Sequence, residues 1–587
     1  MPLATPLVAV VDQITTEVIA HRFAAAADEM MATLVKTAYS PNIKERRDCS
    51  VAIFDVAGNL IALAAIAPIH LSSLAGLIQN LTRRSSVSDL KPGDAFVTND
   101  PYVGGGSHLP DITVASPVFV DGRVVAYVAN LAHHSDIGGR VAGSESADCT
   151  SIFQEGLRIP PVKLLDGGAV CHDAMSFILL NSRTPRERQG DLRAQIATNA
   201  IGIRRVQDIF SRFGTPVVEA AIVGLLDYSE ARTRAEVRKL PDGVYENECD
   251  LDNDGISDRL TRLQVTVTIR GDSMRFDFAG TDPQMRGARN MPFIATQSAV
   301  YYAVKAITDP TLPPNSGYFR AIEIAAPEGC VLNCRPPAAV GDRAATGNVL
   351  GDLLMGALAS ATPDRVMAGC GPLHGLIFSG VDPRRGEYFV DYETYAGASG
   401  GLADQDGRDA VRVHVSGAAN LPVEAVEQEF SLSVERYELI ADSGGPGKFR
   451  GGLGTRRDMV MWSDQARLAG RGLRQVEGAP PLFGGAMGKT GRFILNPGGD
   501  RETKLPGSFS ELATERGAVV RVETPSGAGY GDPLDREPER VLADIVAGKV
   551  SAEGARRDYG VVLRDGRLDR DATIAERARL RRERSSS

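Results

Sequence analysis

Apolar positions recur with helical spacing near the N-terminus and with strand-like spacing soon afterwards. The apolar residues between Ile19 and Leu34 predict a helix over residues 12–38, with an aspartate as its first cap. The β-rich runs Val51–Asp55 and Leu60–Ala64 then flank a glycine-containing turn. We therefore expect a β-hairpin directly after the first helix.

The strongest local signal is a second hairpin. Ile112–Val120 and Arg123–Leu131 are β-rich runs joined by Asp121-Gly122, a pair that favours a two-residue turn. This turn predicts that residue 112 faces residue 131 and that residue 110 faces residue 133. The loop that enters the first strand should therefore meet the loop that leaves the second.

The rest of the chain alternates between helical and strand-rich texture. Residues 185–240 have helical patterns, strands prevail from about residue 240, helices are expected at 290–310 and 343–362, and residues 385–530 are rich in glycine and strands. These patterns predict an α+β fold of several subdomains, with antiparallel hairpins and sheets and packed helices. The predicted division is 1–240 (an N-terminal α+β domain with the metal site), 241–385 (mixed α/β), 386–535 (Gly-rich and β-rich) and 536–587 (a charged helical tail).

Composition narrows the class of protein. Of 587 residues, 43% are hydrophobic and 24% are charged, and the net charge of −9 does not indicate a nucleic-acid binder. The N-terminus lacks the basic stretch of a secretory signal, and the longest apolar run, Leu60–Ala67, is too short to span a bilayer. Seven scattered cysteines favour a reducing compartment, so we expect a cytoplasmic protein that binds no membrane.

The candidate chemistry lies at the open end of the second hairpin. Histidine is scarce, yet three of the eight histidines lie within residues 108–134. His108 and Asp111 precede the hairpin, and His133, His134 and Asp136 follow or end it. Two imidazoles and a carboxylate that converge there would suit zinc, manganese or iron. Strand parity does not decide between His133 and His134, because Pro110 breaks the alternation.

Other sites are weaker. Asp48 or Glu45 would supply a further acidic ligand from the segment between the first helix and the first hairpin. The chain itself should bind no nucleotide, because Gly488-Lys489-Thr490 has Phe483 where a phosphate-binding loop needs its first glycine. The acidic segment 250–258 resembles a calcium loop in part, but Thr261 replaces the final glutamate, so we expect an acidic turn.

Several segments occur together in one known family. They are Asp12–Val18, Ser40–Asp48, Asn99–Tyr102, His108–Ile112, His133–Gly139, Gln154–Pro161, Val434–Leu439, Gly444–Gly447 and Gly527–Pro533. On these segments the chain resembles the hydantoinase B/oxoprolinase family, which includes the large subunits of N-methylhydantoinases. The likeness extends over nearly the whole chain in order, but it does not specify a substrate.

The resemblance implies a division of labour between subunits. A partner of the actin-like ATPase type would use ATP to phosphorylate the oxygen of a cyclic amide such as a hydantoin, a lactam or 5-oxoproline. The present type of subunit would hold a divalent metal through Asp48, His108, Asp111 and His133 and open the ring with a metal-activated water. His134 or Asp136, where not a ligand, would act as a base or orient an imidazole.

Alternatives stay open at this stage. His134 is the rival of His133 as a ligand, and Glu45 is the rival of Asp48. The metal-holding subunit of an ATP-dependent ketone carboxylase would have the same motifs. A non-catalytic scaffold in a hetero-oligomer is a third possibility.

Overall fold

The computed structural model describes residues 11–84 and 89–585. Its helices are α1 Gln13–Thr37, α2 Pro41–Lys44, α3 Ser73–Arg84, α4 His172–Leu180, α5 Pro185–Phe213, α6 Thr215–Val237, α7 Phe293–Ile307, α8 Ser316–Phe319, α9 Arg343–Leu358, α10 Val423–Glu429, α11 Pro538–Val546, α12 Ala552–Tyr559 and α13 Arg570–Arg584.

Its strands are β1 Cys49–Asp55, β2 Leu60–Ala65, β3 Ala95–Thr98, β4 Asp111–Val120, β5 Arg123–His133, β6 Val162–Asp166, β7 Ala169–Val170, β8 Gly243–Leu251, β9 Thr261–Arg270, β10 Ser273–Asp277, β11 Ile322–Ala325, β12 His374–Asp382, β13 Glu387–Tyr395, β14 Leu432–Leu439, β15 Thr455–Met461, β16 Asp464–Arg471, β17 Arg492–Leu495, β18 Thr503–Leu505, β19 Ser508–Ala513, β20 Val519–Glu523, β21 Leu563–Arg564 and β22 Arg567–Leu568.

An antiparallel sheet of seven strands, in the order β2-β1-β5-β4-β3-β6-β7, supports the candidate site. Both of its faces are covered, because side chains alternate along β1. Val51 and Ile53 pack with the core beneath α1, α5 and α6, whereas Ala52 and Phe54 pack with α3. The predicted cap of α1 is confirmed, since the Asp12 carboxylate accepts the backbone N–H of Thr15 at 2.9 Å.

The β4–β5 hairpin forms as predicted, but its register differs by one residue beyond the turn. Asp121 and Gly122 both have positive φ, 49° and 78°, as a type I′ turn requires. A β-bulge between Val118 and Phe119 then shifts the pairing. Residue 112 consequently faces Ala132 instead of residue 131, and Asp111 lies directly opposite His133.

Two further units follow, and a C-terminal segment of α11, α12, the two-stranded sheet β21-β22 and α13 comes after them. The four-stranded sheet β11-β10-β9-β8 packs against α7 and α9 around a large apolar core. After it, the sheets β13-β12-β16-β19 and β14-β15-β20-β17-β18 share a core, to which β12 contributes Leu376 and Phe378 and β15 contributes Met459 and Met461. The predicted α+β class with antiparallel sheets is confirmed. The predicted domain division stays a prediction. Its boundary at residue 385 would fall in the turn between β12 and β13, two strands that pair in one sheet.

Among the described helices, none is both long enough and apolar enough to cross a membrane alone. Taken together, α5 and α6 have the length and composition of a membrane span, but the two helices meet at a bend of 108°.

Candidate metal centre

The hairpin places two imidazoles and a carboxylate at one point. Asp111 begins β4, and His133 ends β5 directly opposite it. His108 precedes Asp111 by three residues in the loop, and its Nδ1 atom lies 2.9 Å from Asp111 Oδ2. The Nε2 atoms of His108 and His133 are 3.1 Å apart. All three side chains are buried.

These residues fit a divalent transition metal. His108, Asp111 and His133 each offer a ligand atom, and the three atoms lie within 4.8 Å of one another. The Oδ1 atom of Asp111 is buried and has no hydrogen-bond partner, which is costly for a carboxylate unless another ligand satisfies it. A donor set of two imidazole nitrogens and one carboxylate oxygen suits zinc, manganese or iron.

The electrostatics keep both histidines neutral at neutral pH. Burial, together with the positive charge of Arg343, lowers the pKa of His108 to about 4. Burial also lowers the pKa of His133 well below its ordinary value. Burial alone would raise the pKa of Asp111, but Arg343 and His108, which is protonated in the acidic range where this carboxyl titrates, outweigh burial and hold that pKa well below its usual range. A metal ion requires this combination of neutral imidazoles and an ionised carboxylate.

Glu145 lies against both imidazoles, and no sequence pattern pointed to it. Its Oε1 atom is 2.6 Å from His108 Nε2 and 3.1 Å from His133 Nε2. Its Oε2 atom accepts the Tyr392 hydroxyl at 3.0 Å and also contacts the guanidinium of Arg471. Side chains of the sheet β13-β12-β16-β19 therefore hold a carboxylate against the imidazole pair.

A small cavity of about 40 Å³ borders the cluster, and Asp48, His70 and His133 lie on its wall. The Asp48 carbonyl accepts the His133 N–H at 3.0 Å. Burial would raise the pKa of Asp48, but the nearby imidazoles of His133 and His70 lower it below its ordinary value. His70, which the sequence patterns did not single out, has its Nε2 atom 3.8 Å from Asp111 Oδ1 and its Nδ1 atom 2.8 Å from Ser50 Oγ.

The structure places the other candidate residues away from the cluster. Side chains alternate along β5, which ends at His133, so His133 lies on the same face of the sheet as Leu131. His134 lies on the other face, towards α5. The His134 Nε2 atom lies 3.1 Å from Gln195 Oε1 in α5. Asp136 binds Arg183 Nη1 at 3.0 Å and the backbone N–H of Gly143 at 3.1 Å, so its carboxylate organises a loop. Glu45 caps the end of α2.

A second buried group is satisfied by its protein neighbours. Asp352, Cys370 and His414 also bring ligand atoms within 4.8 Å of one another. Asp352 accepts bonds from His414 Nε2 at 3.0 Å, from the Cys370 backbone at 2.9 Å and from Arg474 at 3.2 Å. Because these contacts already occupy both carboxylate oxygens, this group resembles a structural network more than an open metal site.

A family model described as hydantoinase B/oxoprolinase matches residues 12–533. The chain belongs to the hydantoinase B/oxoprolinase family. The resemblance read from the sequence motifs is thereby confirmed. In this chain, the fold brings His108, Asp111 and His133 together with Glu145 and the wall of the adjacent cavity.

Relatives cover almost the whole chain. An uncharacterised protein of Methanocaldococcus jannaschii is 36% identical over 94% of this chain and 96% of its own length. One subunit of a putative D-/L-hydantoinase from a Pseudomonas species is 34% identical over 94% of this chain and 96% of its own length. The beta subunit of the caprolactamase of Pseudomonas jessenii is 33% identical over 97% of this chain and 99% of its own length.

Two solved structures share the fold. The crystal structure of the ATP-dependent caprolactamase from Pseudomonas jessenii superposes with a TM-score of 0.88 and 31% identity, covering 97% of this chain and all of that chain. The nucleotide-free acetone carboxylase structure superposes with a TM-score of 0.90 over 98% of this chain and 84% of that chain. At 21% identity, this second likeness shows a common fold alone.

Proposed function

We propose that this chain is the metal-holding subunit of an ATP-dependent hydrolase that opens cyclic amides. The observation that carries the proposal is the buried convergence of His108, Asp111 and His133 beside a small cavity. Family membership supports the reaction class, since relatives above 30% identity are named as a caprolactamase subunit and a putative hydantoinase subunit. The likeness to acetone carboxylase is too distant in sequence to favour the ketone carboxylase.

The reaction needs activation because resonance makes the carbonyl of an unstrained cyclic amide a poor electrophile. In our proposal a partner subunit of the actin-like ATPase type uses ATP to phosphorylate the amide oxygen. Water then adds to the activated ring carbon, and the C–N bond of the tetrahedral adduct breaks, so that the ring opens with its nitrogen as the leaving group. Hydrolysis of the resulting acyl phosphate releases inorganic phosphate and leaves the carboxylate. Because ATP is the co-substrate, we place the complex in the cytoplasm.

The metal would be held by His108, Asp111 and His133, with Asp48 as the additional acidic ligand on the cavity wall. When bound, a divalent metal makes a water molecule nucleophilic at neutral pH. Arg343 donates to Asp111 Oδ2 at 3.1 Å and keeps this carboxylate ionised and oriented. The fold around the two imidazoles keeps both rings uncharged and therefore able to act as ligands.

Glu145 takes the role first expected of His134 or Asp136. Its Oε1 atom lies within 3.1 Å of both imidazole Nε2 atoms, so it is placed to accept the proton of the attacking water. Tyr392 and Arg471 fix the position of this carboxylate through its other oxygen. His134 and Asp136 instead hold α5 and the loop after β5 in place.

The test is a substrate screen of the assembled complex. The chain is co-expressed with the ATPase-like subunit of the same organism, and ATP-dependent phosphate release is measured with hydantoins, lactams, 5-oxoproline and ketones. We expect release with at least one cyclic amide, coupled to ring opening seen by mass spectrometry. The His108→Ala complex should lose ring opening.

Phosphate release only with a ketone and bicarbonate would replace the hydrolase by the carboxylase. Full ring opening in the His108→Ala complex would remove the metal-holding role and favour the scaffold.

A further inference from the structure

Guanidinium groups from three separate parts of the chain line the cavity beside the metal cluster. Arg343 comes from the start of α9, Arg471 from the end of β16, and Arg412 from the loop that follows β13. The cavity has a volume of about 40 Å³, room for about three water molecules. A phosphoryl group is of similar size.

The three guanidinium groups differ in their ion-pair partners. Arg343 is paired with Asp111, and Arg471 is paired with Glu145 and Asp342. Arg412, in contrast, donates to the carbonyl of Thr394. It makes no ion pair with any carboxylate of the described residues. Its Nε atom has no hydrogen-bond partner.

A fourth arginine lies just behind the wall. Arg46 is fully buried and donates to the Tyr392 carbonyl and the Thr394 hydroxyl, both of which are neutral. Like Arg412, it makes no ion pair with a carboxylate in the part of the chain that the structure describes. The guanidinium carbons of Arg46 and Arg471 lie 5.1 and 5.2 Å from the centre of the Tyr392 ring. Burying cations without partners is costly, so an anionic ligand would offset the cost.

We propose that this wall is the subsite for the phosphoryl oxygens of the activated substrate, with Arg412 as its principal free donor. The proposal rests on the proposed function and specifies what the same site recognises. Donors that come from several directions suit a tetrahedral dianion better than a planar carboxylate, which a single guanidinium binds through two parallel bonds. Because Asp48 and His133 line the same cavity, the phosphoryl group would lie next to the carbon under attack.

The experiment is calorimetric titration of the full-length, metal-loaded chain with inorganic phosphate at constant ionic strength. Arg412→Gln should weaken phosphate binding by about tenfold or more, while Arg412→Lys should retain part of the affinity. Arg564→Gln is the matched control, because this side chain is 79% exposed and lies far along the chain in β21. The metal content of every variant is measured alongside, to show that the fold around the cluster is intact.

A second titration series with acetate separates the two possible anions. We expect acetate to bind much more weakly than phosphate and to compete poorly with it. Absence of phosphate binding by the wild type, or equal affinity in the wild type and Arg412→Gln, would overturn the proposal. Acetate binding as tight as that of phosphate would also overturn it, since the subsite would then be one for carboxylates. The titration needs no turnover, so its result is independent of whether the hydrolase assignment survives the substrate screen.

Discussion

At the scale of single residues, the two adjacent histidines at the end of β5 have different surroundings. His133 lies 3.1 Å from His108 Nε2, whereas His134 lies against Gln195 on the opposite face of the sheet. A proposed metal ligand and a core residue therefore follow one another in the chain. This contrast offers a pair of matched substitutions.

We predict that His133→Ala loses its metal and that His134→Ala keeps it. Loss of a ligand should weaken metal affinity by more than about 100-fold, beyond the roughly 10–100-fold typical of a residue that only orients a ligand. His134→Ala should instead lower the free energy of unfolding by about 1–3 kcal/mol, because it removes a buried hydrogen bond and leaves Gln195 without its partner.

Elemental analysis and urea denaturation of both variants test this. Equal metal content in the two would show that His133 is no ligand.

Sequence reasoning reached part of this cluster and could not reach the rest. The convergence of His108 and Asp111 with one of the two histidines at 133 and 134 was predictable because a two-residue turn brings the ends of one hairpin together. The choice of His133 came from the family resemblance. The only sequence signal at His70 was a weak one, namely that histidine is scarce in this chain, with eight in 587 residues. Glu145 and Tyr392 carried none, since their place depends on how distant subdomains pack and not on local spacing.

At the scale of elements, the segment that follows the β4–β5 hairpin is hydrogen-bonded to the backbone just before α9. Glu155 accepts the backbone N–H groups of Val340 at 2.9 Å and Gly341 at 2.7 Å, immediately before Arg343 begins the helix. Burial raises the pKa of Glu155 to about 8, although these two N–H groups oppose the change. The helix that carries Arg343 to Asp111 is thus anchored by a carboxyl group with a strongly perturbed pKa.

This anchor predicts a pH dependence of stability. The folded pKa of Glu155 exceeds its ordinary value of 4.5, so the folded state retains a proton that the unfolded chain releases. The corresponding stability is fully present below about pH 4.5 and is lost as the pH rises to about 8.

Relative to Glu155→Gln, the wild type should therefore lose free energy of unfolding across this window, on the order of a few kcal/mol. Urea denaturation at several pH values measures the difference, with the exposed Glu424→Gln as control. A constant difference between the wild type and Glu155→Gln would contradict the prediction.

A close backbone contact holds the loop before His108 against α3. Gly104 has φ 87°, and a Cβ atom built on it would lie 2.5 Å from the backbone of Gly76 in α3. Gly122 has φ 78° but open space around it. Both positions favour glycine by conformation, and only Gly104 also needs it for space.

We predict that Gly122→Ala costs about 1–2 kcal/mol from backbone strain alone, and that Gly104→Ala costs clearly more. Gly104→Ala should also lower metal affinity, because the displaced loop leads directly to His108. Denaturation curves and metal titrations of the two variants provide the comparison. Similar losses of unfolding free energy in Gly122→Ala and Gly104→Ala would mean that α3 moves away from the added methyl group without cost.

The sequence patterns predicted most elements but not their fine register. The turn at Asp121-Gly122 was readable from residue type, and so was the cap at Asp12. The bulge at Val118 and Phe119 was not, because both residues are ordinary strand formers. That bulge decides which residue lies opposite His133.

At the scale of the whole molecule, the cluster joins the seven-stranded sheet to α9 and to the sheet β13-β12-β16-β19. Asp111 contacts Arg343, and Glu145 contacts Tyr392 and Arg471. A ligand that binds only this folded arrangement must stabilise the entire chain.

We therefore predict that the midpoint of thermal unfolding rises with the concentration of free divalent metal. At a metal concentration 1,000 times the dissociation constant, the gain is about 4 kcal/mol. Chelation should remove the gain, and the His108→Ala variant should show none. Calorimetric scans at graded metal concentrations measure it, and an unchanged midpoint in the wild type would show that the metal does not couple the subdomains.

The distribution of these contacts along the chain also bears on biosynthesis. The histidines and Glu145 leave the ribosome early, whereas Arg343, Tyr392 and Arg471 follow only after much more of the chain has been made. At roughly 5–20 residues per second, this interval lasts tens of seconds. During it the nascent chain presents two imidazoles and several carboxylates without the cations that later enclose them. A nascent chain with the proposed metal site would therefore need its metal delivered late, or its N-terminal part protected from the wrong one.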